Sequence, residues 1–374
     1  MRLMASIPRW RQADPLLLLA AVALTGLGIV LVTSATWQYF ERPNLLGNTW
    51  FLKQTLFALI GFAALVGCAL IHPRLIWTWA YAIYGVSCLG LIAVLLLGHG
   101  SDEYGAQRWI EVAGVALQPS ELVKVTLVIA LARLFSASPF SGRQILGSLG
   151  LVGIAFLLIY LQPDLGTGLC LAAIWFGMLV LAGAPRRYIF GFIAAGLALS
   201  PLVWLGLKGY MRDRLMVYLD PGADPLGQGY NILQAQISIG SGGMFGKGLF
   251  EGTQTQLRYL RVSHSDFIFS VLGEELGFIG AMLLFTLLLV LLFRVLRAYD
   301  AAHDRFGAMV CAGVGCMIAF QAIANLGANV GLTPVVGIPL PYVSYGGSAL
   351  VSHLAALGLV QATLLSRRRY RFEV

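Results

Sequence analysis

A chain of 374 residues that is 58% hydrophobic, only 11% charged and has a mean hydropathy of +0.80 is not a soluble globular domain, since such domains carry about 25% charged residues. No water-soluble core could bury so much apolar surface, so the composition gives an all-α polytopic membrane protein. The formal net charge of +8 is not a nucleic-acid footprint: the basic residues flank apolar runs, as membrane topology requires, and form no basic tract interleaved with aromatics.

About ten apolar runs near the spanning length of roughly 20 residues follow in chain order. They lie at 15–35, 51–71, 75–97, 119–137, 145–162, 166–184, 189–207, 267–293, 306–330 and 349–366. Arg2, Arg9 and Arg11 precede the first run, which is too long for a signal peptide and lacks a clear small-residue cleavage site, so it reads as a retained span. The fourth run carries Glu121 and Lys124, which lower its hydropathy. The eighth is long enough to tilt or protrude. Cys68, Cys88, Cys170, Cys311 and Cys316 all sit inside apolar runs with no Cys-x-x-Cys, which reads as small buried hydrophobes without disulfide or metal. The whole of 1–374 is one integral membrane domain without a tandem repeat.

Orientation follows from arginine bias. With the N-terminus in the cytoplasm and alternating spans, the inner side receives Arg2, Arg9, Arg11, Arg74, Arg143, Arg186, Arg187, Arg294, Arg297, Arg305, Arg367, Arg368, Arg369 and Arg371, while short outer loops receive little beyond Arg42 and Arg108. Both termini are then cytoplasmic and the long segment 208–265 faces outward. A connection of that length is functional or contains local structure. Tyr210–Tyr218 reads as a short surface helix with Arg212 and Arg214 near lipid headgroups. Gly229–Ile239 reads as another, and a glycine-dense stretch, Gly240 to Gly252, follows.

Asp266 stands where this loop meets the eighth span. A carboxylate at a bilayer is costly, roughly 2.5–3.5 kcal/mol at its centre, and is a functional candidate for that reason. The bland alternative is a helix N-cap. Glu274 and Glu275 lie about two turns deeper, and adjacent residues do not share a helix face. One is expected to pair with a cation from another span, the other to meet a polar cavity; a structural tie between helices is the alternative. Gly273 and Gly277 form a small-xxx-small pattern that permits close helix approach. Glu121 and Lys124, at i and i+3, share one face and are either a structural ion pair or the wall of a cavity that holds a polar headgroup. Arg108 is a cation on the outer side that would suit a phosphate, or a simple interfacial anchor beside Trp109. Asp164 reads as a cap of the sixth helix. Lys247, Arg258 and Arg261 are further phosphate candidates, and His264 adjoins the mouth. Gly243-x-x-Gly246-Lys247-Gly248 lacks the Walker spacing and Ser/Thr, and His264 with Asp266 has no third metal ligand at a recognisable spacing.

Taken together, these segments resemble the SEDS family (shape, elongation, division and sporulation), its RodA branch in particular. The resemblance is carried by Gly105-Ala106-Gln107-Arg108-Trp109-Ile110, Gln118-Pro119-Ser120-Glu121-Leu122-Val123-Lys124, Gln162-Pro163-Asp164-Leu165-Gly166-Thr167, Gly229-Tyr230-Asn231, Gly240-Ser241-Gly242-Gly243, Gly246-Lys247-Gly248, Gly252-Thr253-Gln254, His264-Ser265-Asp266-Phe267-Ile268-Phe269 and Pro339 through Ser348. One departure is visible: where family members often carry Leu-Pro-Glu, this chain has Leu260-Arg261-Val262.

The resemblance implies a ten-span, inverting peptidoglycan glycosyltransferase of the bacterial cytoplasmic (inner) membrane. It would polymerise lipid II into undecaprenyl-pyrophosphate-linked glycan on the outer face during cell elongation, beside a class B penicillin-binding protein that supplies transpeptidation. Asp266 matches the family's essential aspartate, the expected general base. Glu121 and Lys124 match a functionally important polar pair. Arg108, Lys124, Lys247, Arg258, Arg261 and a divalent cation (Mg2+ or Mn2+) are the candidates for charge on the leaving diphosphate; no organic cofactor is expected. The rival readings are a lipid-linked precursor flippase, which needs polar residues along the whole membrane depth, and a noncatalytic scaffold for the partner synthase.

Overall fold

The computed structural model describes residues 12–39, 45, 47–101, 106–112, 115–137, 140–206, 209–220, 222, 224, 227–260 and 262–366. The expected roles of Arg2, Arg9, Arg11, Arg42, Arg261, Arg367, Arg368, Arg369 and Arg371 fall outside these residues. In order, the helices are α1 Pro15–Ala35, α2 Thr49–Leu70, α3 Pro73–Leu97, α4 Pro119–Phe135, α5 Gly142–Leu161, α6 Leu165–Leu181, α7 Arg186–Gly206, α8 Gly209–Leu219, α9 Gln228–Ser241, α10 Thr253–Gln256, α11 Ile268–Ala301, α12 Arg305–Asn329 and α13 Gly347–Leu365. By length and composition, α1, α2, α3, α5, α11, α12 and α13 are long and apolar enough to cross a membrane, and α6 is a shorter apolar helix. The protein is thus an all-α multi-pass membrane protein. α4 and α7 occupy the fourth and seventh expected positions.

Local chemistry sets the helix starts. Asp14 caps α1 by accepting from Leu17 N (3.1 Å), with Pro15 as the first helical residue, where a missing N–H does no harm. Asn48 caps α2 by accepting from Trp50 N and Phe51 N. α4 explains its own low hydropathy: most of its residues are buried, Glu121 and Lys124 among them, so it faces protein and not lipid.

α1 is tied at both ends to later parts of the chain. At its start, the Asp14 carboxylate takes the Arg294 guanidinium (2.6 Å), and Asp14 and Gln361 exchange two hydrogen bonds, each 3.0 Å, across 347 residues of sequence. At its end, Ser34 Oγ donates to Glu275 Oε1 (2.5 Å) and accepts from Phe250 N (3.2 Å).

Two features differ from the expectation. A small antiparallel sheet, β1 His99–Ser101, β2 Ala106–Val112 and β3 Val115–Leu117, stands between α3 and α4. Arg108 is on its middle strand. Second, α11 is broken at Gly277 (φ 62°, ψ −158°), a backbone region that is essentially glycine-only. The orphaned groups at the break are taken by the 243–248 loop, as a membrane interior demands. Lys247 N and Gly248 N donate to the Glu274 and Glu275 carbonyls (3.0 Å each), and Phe278 N and Ile279 N donate to the Gly243 and Met244 carbonyls (2.9 and 3.2 Å). Gly273 admits Ile239 of α9, the close helix approach expected, whereas Gly277 admits the Gly246 backbone of the loop.

Candidate functional site

The segment 264–266 is held by its backbone. The His264 carbonyl accepts from Tyr345 N (2.9 Å), the Ser265 carbonyl from Ser344 Oγ (2.7 Å), and the Asp266 carbonyl from Asn325 Nδ2 (3.0 Å) and Asn329 Nδ2 (2.9 Å). Three consecutive carbonyls are thus pinned from α12 and the turn before α13. Ser344 is itself held, accepting from Leu340 N (2.8 Å).

The capping alternative for Asp266 does not hold. α11 has no side-chain cap of its own, its N-cap position being Phe267. The first-turn donor Ser270 N is shared by the Phe267 carbonyl (3.0 Å) and Asn329 Oδ1 (3.1 Å), which also accepts from Ser270 Oγ (2.7 Å). This leaves the Asp266 carboxylate available, with Ser265 Oγ at 3.3 Å from Oδ1.

Around that carboxylate lie opposing charges. Burial pushes the Asp266 carboxyl above its ordinary value; the Arg214 guanidinium, the Ser265 hydroxyl and Arg108 pull it back, and Asp164 pushes it up. Gly337 borders the same space: a Cβ there would stand 3.6 Å from Arg214 Nη1 and 3.9 Å from Asp266 Oδ2, and its φ of +74° suits glycine. Arg214 is the candidate site residue that sequence reasoning missed. The expectation put Arg212 and Arg214 together at lipid headgroups. On α8 they diverge: Arg212 caps the end of α7 through the Trp204 and Leu205 carbonyls (3.1 and 2.6 Å), while Arg214 acts on Asp266.

The other expected site residues sort as follows. Arg108 joins the group: Nη2 donates to the Pro163 carbonyl, beside Asp164. Asp164 caps α6 as expected, accepting from Thr167 N (3.2 Å) and Thr167 Oγ1 (2.8 Å). Its carboxylate also accepts from Gln118 Nε2 (3.5 Å), just before α4. Glu121 and Lys124 pair at 2.7 Å, and Glu121 Oε2 is buried with no hydrogen-bond partner.

Lys247 does not join. Its ammonium is engaged by Glu274 Oε1 (2.8 Å), whose carboxylate also accepts from Thr253 Oγ1, Gln254 N, Thr255 N and Thr255 Oγ1 (2.9–3.3 Å). The cation that neutralises Glu274 comes from the loop, which corrects the expectation of one from another span. Arg258 donates to the Gln38 carbonyl. Burial pushes the His264 imidazole below its ordinary value, so it is neutral. Its ring packs against Trp50 (tilted, centroids 4.5 Å apart) and edge-on to Tyr345 (5.7 Å).

The donor set does not fit a divalent cation held by the chain. Asp164 is engaged in its cap, two guanidiniums act on Asp266, and no three His, Cys, Asp or Glu gather among the described residues. A buried carboxylate flanked by fixed cations suits proton abstraction next to a developing anion.

Comparison with known proteins meets this geometry. Residues 15–369 match the family described as cell cycle protein, FTSW_RODA_SPOVE. Peptidoglycan glycosyltransferase MrdB of Escherichia coli is 37% identical over 361 residues, 95% of this chain and 94% of that protein. The probable peptidoglycan glycosyltransferase FtsW of Trichlorobacter lovleyi is 38% identical over 361 residues, 94% and 93% of the two chains. Among solved structures, a chain of a peptidoglycan synthase complex that coordinates polymerization and crosslinking superposes with a TM-score of 0.81 at 31% identity, covering 96% of this chain and 99% of that one. The crystal structure of the Thermus thermophilus rod shape determining protein RodA gives 0.72 at 28% identity, with 97% and 100% covered.

Proposed function

Since the chain belongs to the FTSW_RODA_SPOVE cell cycle family, we propose that it is a peptidoglycan glycosyltransferase that polymerises lipid II, with Asp266 as its general base. The observation that carries the assignment of Asp266 is a carboxylate that caps no helix: its backbone is pinned, Ser270 N turns to the Phe267 carbonyl and Asn329, and two arginines act on the carboxylate.

The chemistry follows from those groups. A sugar hydroxyl is a weak nucleophile, and a positioned base contributes about 10²–10⁴-fold. Asp266 takes the proton of the GlcNAc 4-hydroxyl. The freed oxygen bonds to the MurNAc anomeric carbon as the bond to diphosphate breaks, and the electron pair leaves with undecaprenyl diphosphate. Inversion results, without a glycosyl-enzyme. Arg108 and Arg214 supply fixed positive charge for the leaving diphosphate. A divalent cation, where the reaction uses one, arrives with that diphosphate.

The bacterial inner membrane is the proposed location, with the Asp266 end outward. A cavity of about 290 Å³ lined by His72, Arg74, Ser136, Asp304, Arg305 and Ser366 gathers the ends of four helices on one face, and its arginines support the reading of that face as the cytoplasmic one, by the positive-inside rule. Both termini lie there in this reading. Relatives of the RodA and FtsW type match at nearly equal identity, 37% and 38%; the assignment to cell elongation rests on the sequence motifs. A class B penicillin-binding protein is the proposed partner, consistent with the likeness to a synthase complex.

Purified protein given labelled lipid II, with the partner's own catalysis disabled, tests the reading: glycan strands are expected, and their absence under saturating partner overturns it. The pH profile gives a second check. Activity needs ionised Asp266, so it falls as pH drops through that group's pKa. Arg214 lowers this pKa, so Arg214→Gln is expected to move the acid limb to higher pH; an unmoved limb removes Arg214 from the site.

The Glu121–Lys124 pair gives a third. Glu121→Gln leaves a buried ammonium unpaired and is expected to destabilise the protein by about 3–5 kcal/mol, read as thermal stability in detergent. The double variant Glu121→Leu with Lys124→Met is expected to recover that stability but not polymerisation. Recovery of both makes the pair purely structural.

A further inference from the structure

We infer that Asn329, with Asn325, is a positioning residue for Asp266. The inference rests on the reading of Asp266 as the base and adds how the fold keeps that base available. Asn329 uses both ends of one amide. Its Oδ1 accepts from Ser270 N and Ser270 Oγ (3.1 and 2.7 Å), sharing with the Phe267 carbonyl (3.0 Å) a first-turn donor of α11 within reach of an acid at the helix mouth. Its Nδ2 donates to the Asp266 carbonyl (2.9 Å). One side chain therefore relieves the aspartate of capping and fixes where its Cα stands.

Asn325 lies one turn earlier on α12 and shares the second task. Its Nδ2 donates to the Asp266 carbonyl (3.0 Å) and to the Ile338 carbonyl (2.9 Å), next to Gly337, which borders the carboxylate. The Asn329 amide also donates to the Asn325 carbonyl (2.9 Å). Both amides are buried, so each hydrogen bond is made away from competing water. A base displaced by about 1 Å loses on the order of 10²-fold in rate.

Four variants separate positioning from plain stability. Asn329→Asp keeps the acceptor for Ser270 and loses the donor to Asp266. Asn325→Leu loses a donor to the same carbonyl and leaves the cap intact. Ser270→Ala weakens the cap alone. Asp266→Asn tests the base itself. With labelled lipid II, Asn329→Asp and Asn325→Leu are expected to lower kcat by about 10- to 100-fold while KM stays within about twofold. Ser270→Ala is expected to lower thermal stability and keep kcat. If kcat merely tracks thermal stability across the set, or if Asn329→Asp and Asn325→Leu both turn over like the parent while Asp266→Asn is dead, the positioning role is wrong and the base stands. If Asp266→Asn turns over normally, the base assignment falls and this inference with it.

Discussion

Asp266→Asn is expected to abolish glycan polymerisation, with a loss of about 10²–10⁴-fold, or roughly 3–5 kcal/mol of barrier. The amide keeps the shape of the side chain and can still accept from Ser265, but it has no basic lone pair for the acceptor hydroxyl's proton. Folding is expected to survive. The side chain caps nothing, and the residue is held through its carbonyl by Asn325 and Asn329. Burial raises the carboxyl's pKa in the folded protein, so the ionised form is disfavoured there, and this penalty grows as pH rises through the ordinary carboxylate range. A neutral amide removes it, so thermal stability at neutral pH is expected to hold or rise. A variant that is fully folded, binds labelled lipid II and makes no strands supports the base; parental turnover refutes it.

Gly277→Val is expected to be the most damaging substitution for the architecture of the outer half. The φ of 62° and ψ of −158° lie where a β-branched residue costs about 1–3 kcal/mol in backbone strain alone. A Cβ would also run into Gly246 N and the Phe245 backbone, adding about 1–3 kcal/mol of overpacking. Relief requires the 243–248 loop to leave, which strips the break of its four backbone partners and separates Lys247 from buried Glu274. The expected result is a large fall in thermal stability and new protease sensitivity at 243–256. Gly67→Ala is the control: nothing lies within 4 Å of its Cβ position, and a helical glycine replaced by alanine there gains up to about 1 kcal/mol. Parental stability in Gly277→Val overturns the account of the break.

The spanning helices were legible because lipid demands long apolar runs, and that demand is written residue by residue. The first run and α1 coincide at residues 15–35, where Asp14 and Pro15 punctuate the start. α8 and α9 were legible for a similar reason, lying between glycine and proline breaks. The sheet was not legible, since its strands are three to seven residues long and set by pairing across a turn. The break in α11 was hidden because glycine spacing reads alike for a helix partner and for an invading loop. Asp266 was visible as an acid at a helix mouth. Arg214 was not, because it stands two residues from Arg212 on the same short helix and only tertiary placement separates the two. Asn325 and Asn329 carried a signal that went unread: two amides four residues apart within an apolar span.

The ties at the two ends of α1 have a consequence for how the protein is made. Asp14 finds Gln361 only when residues 347 positions later have left the ribosome, roughly 15–70 s after the first span emerges at usual elongation rates. Glu275 reaches Ser34 and Arg294 reaches Asp14 earlier, 241 and 280 residues on, so the opening helix waits in the bilayer for its ties one after another and Gln361 completes them last. Nascent chains stalled before α13 should therefore be the form that membrane quality-control proteases remove, and the full-length chain the first to resist them.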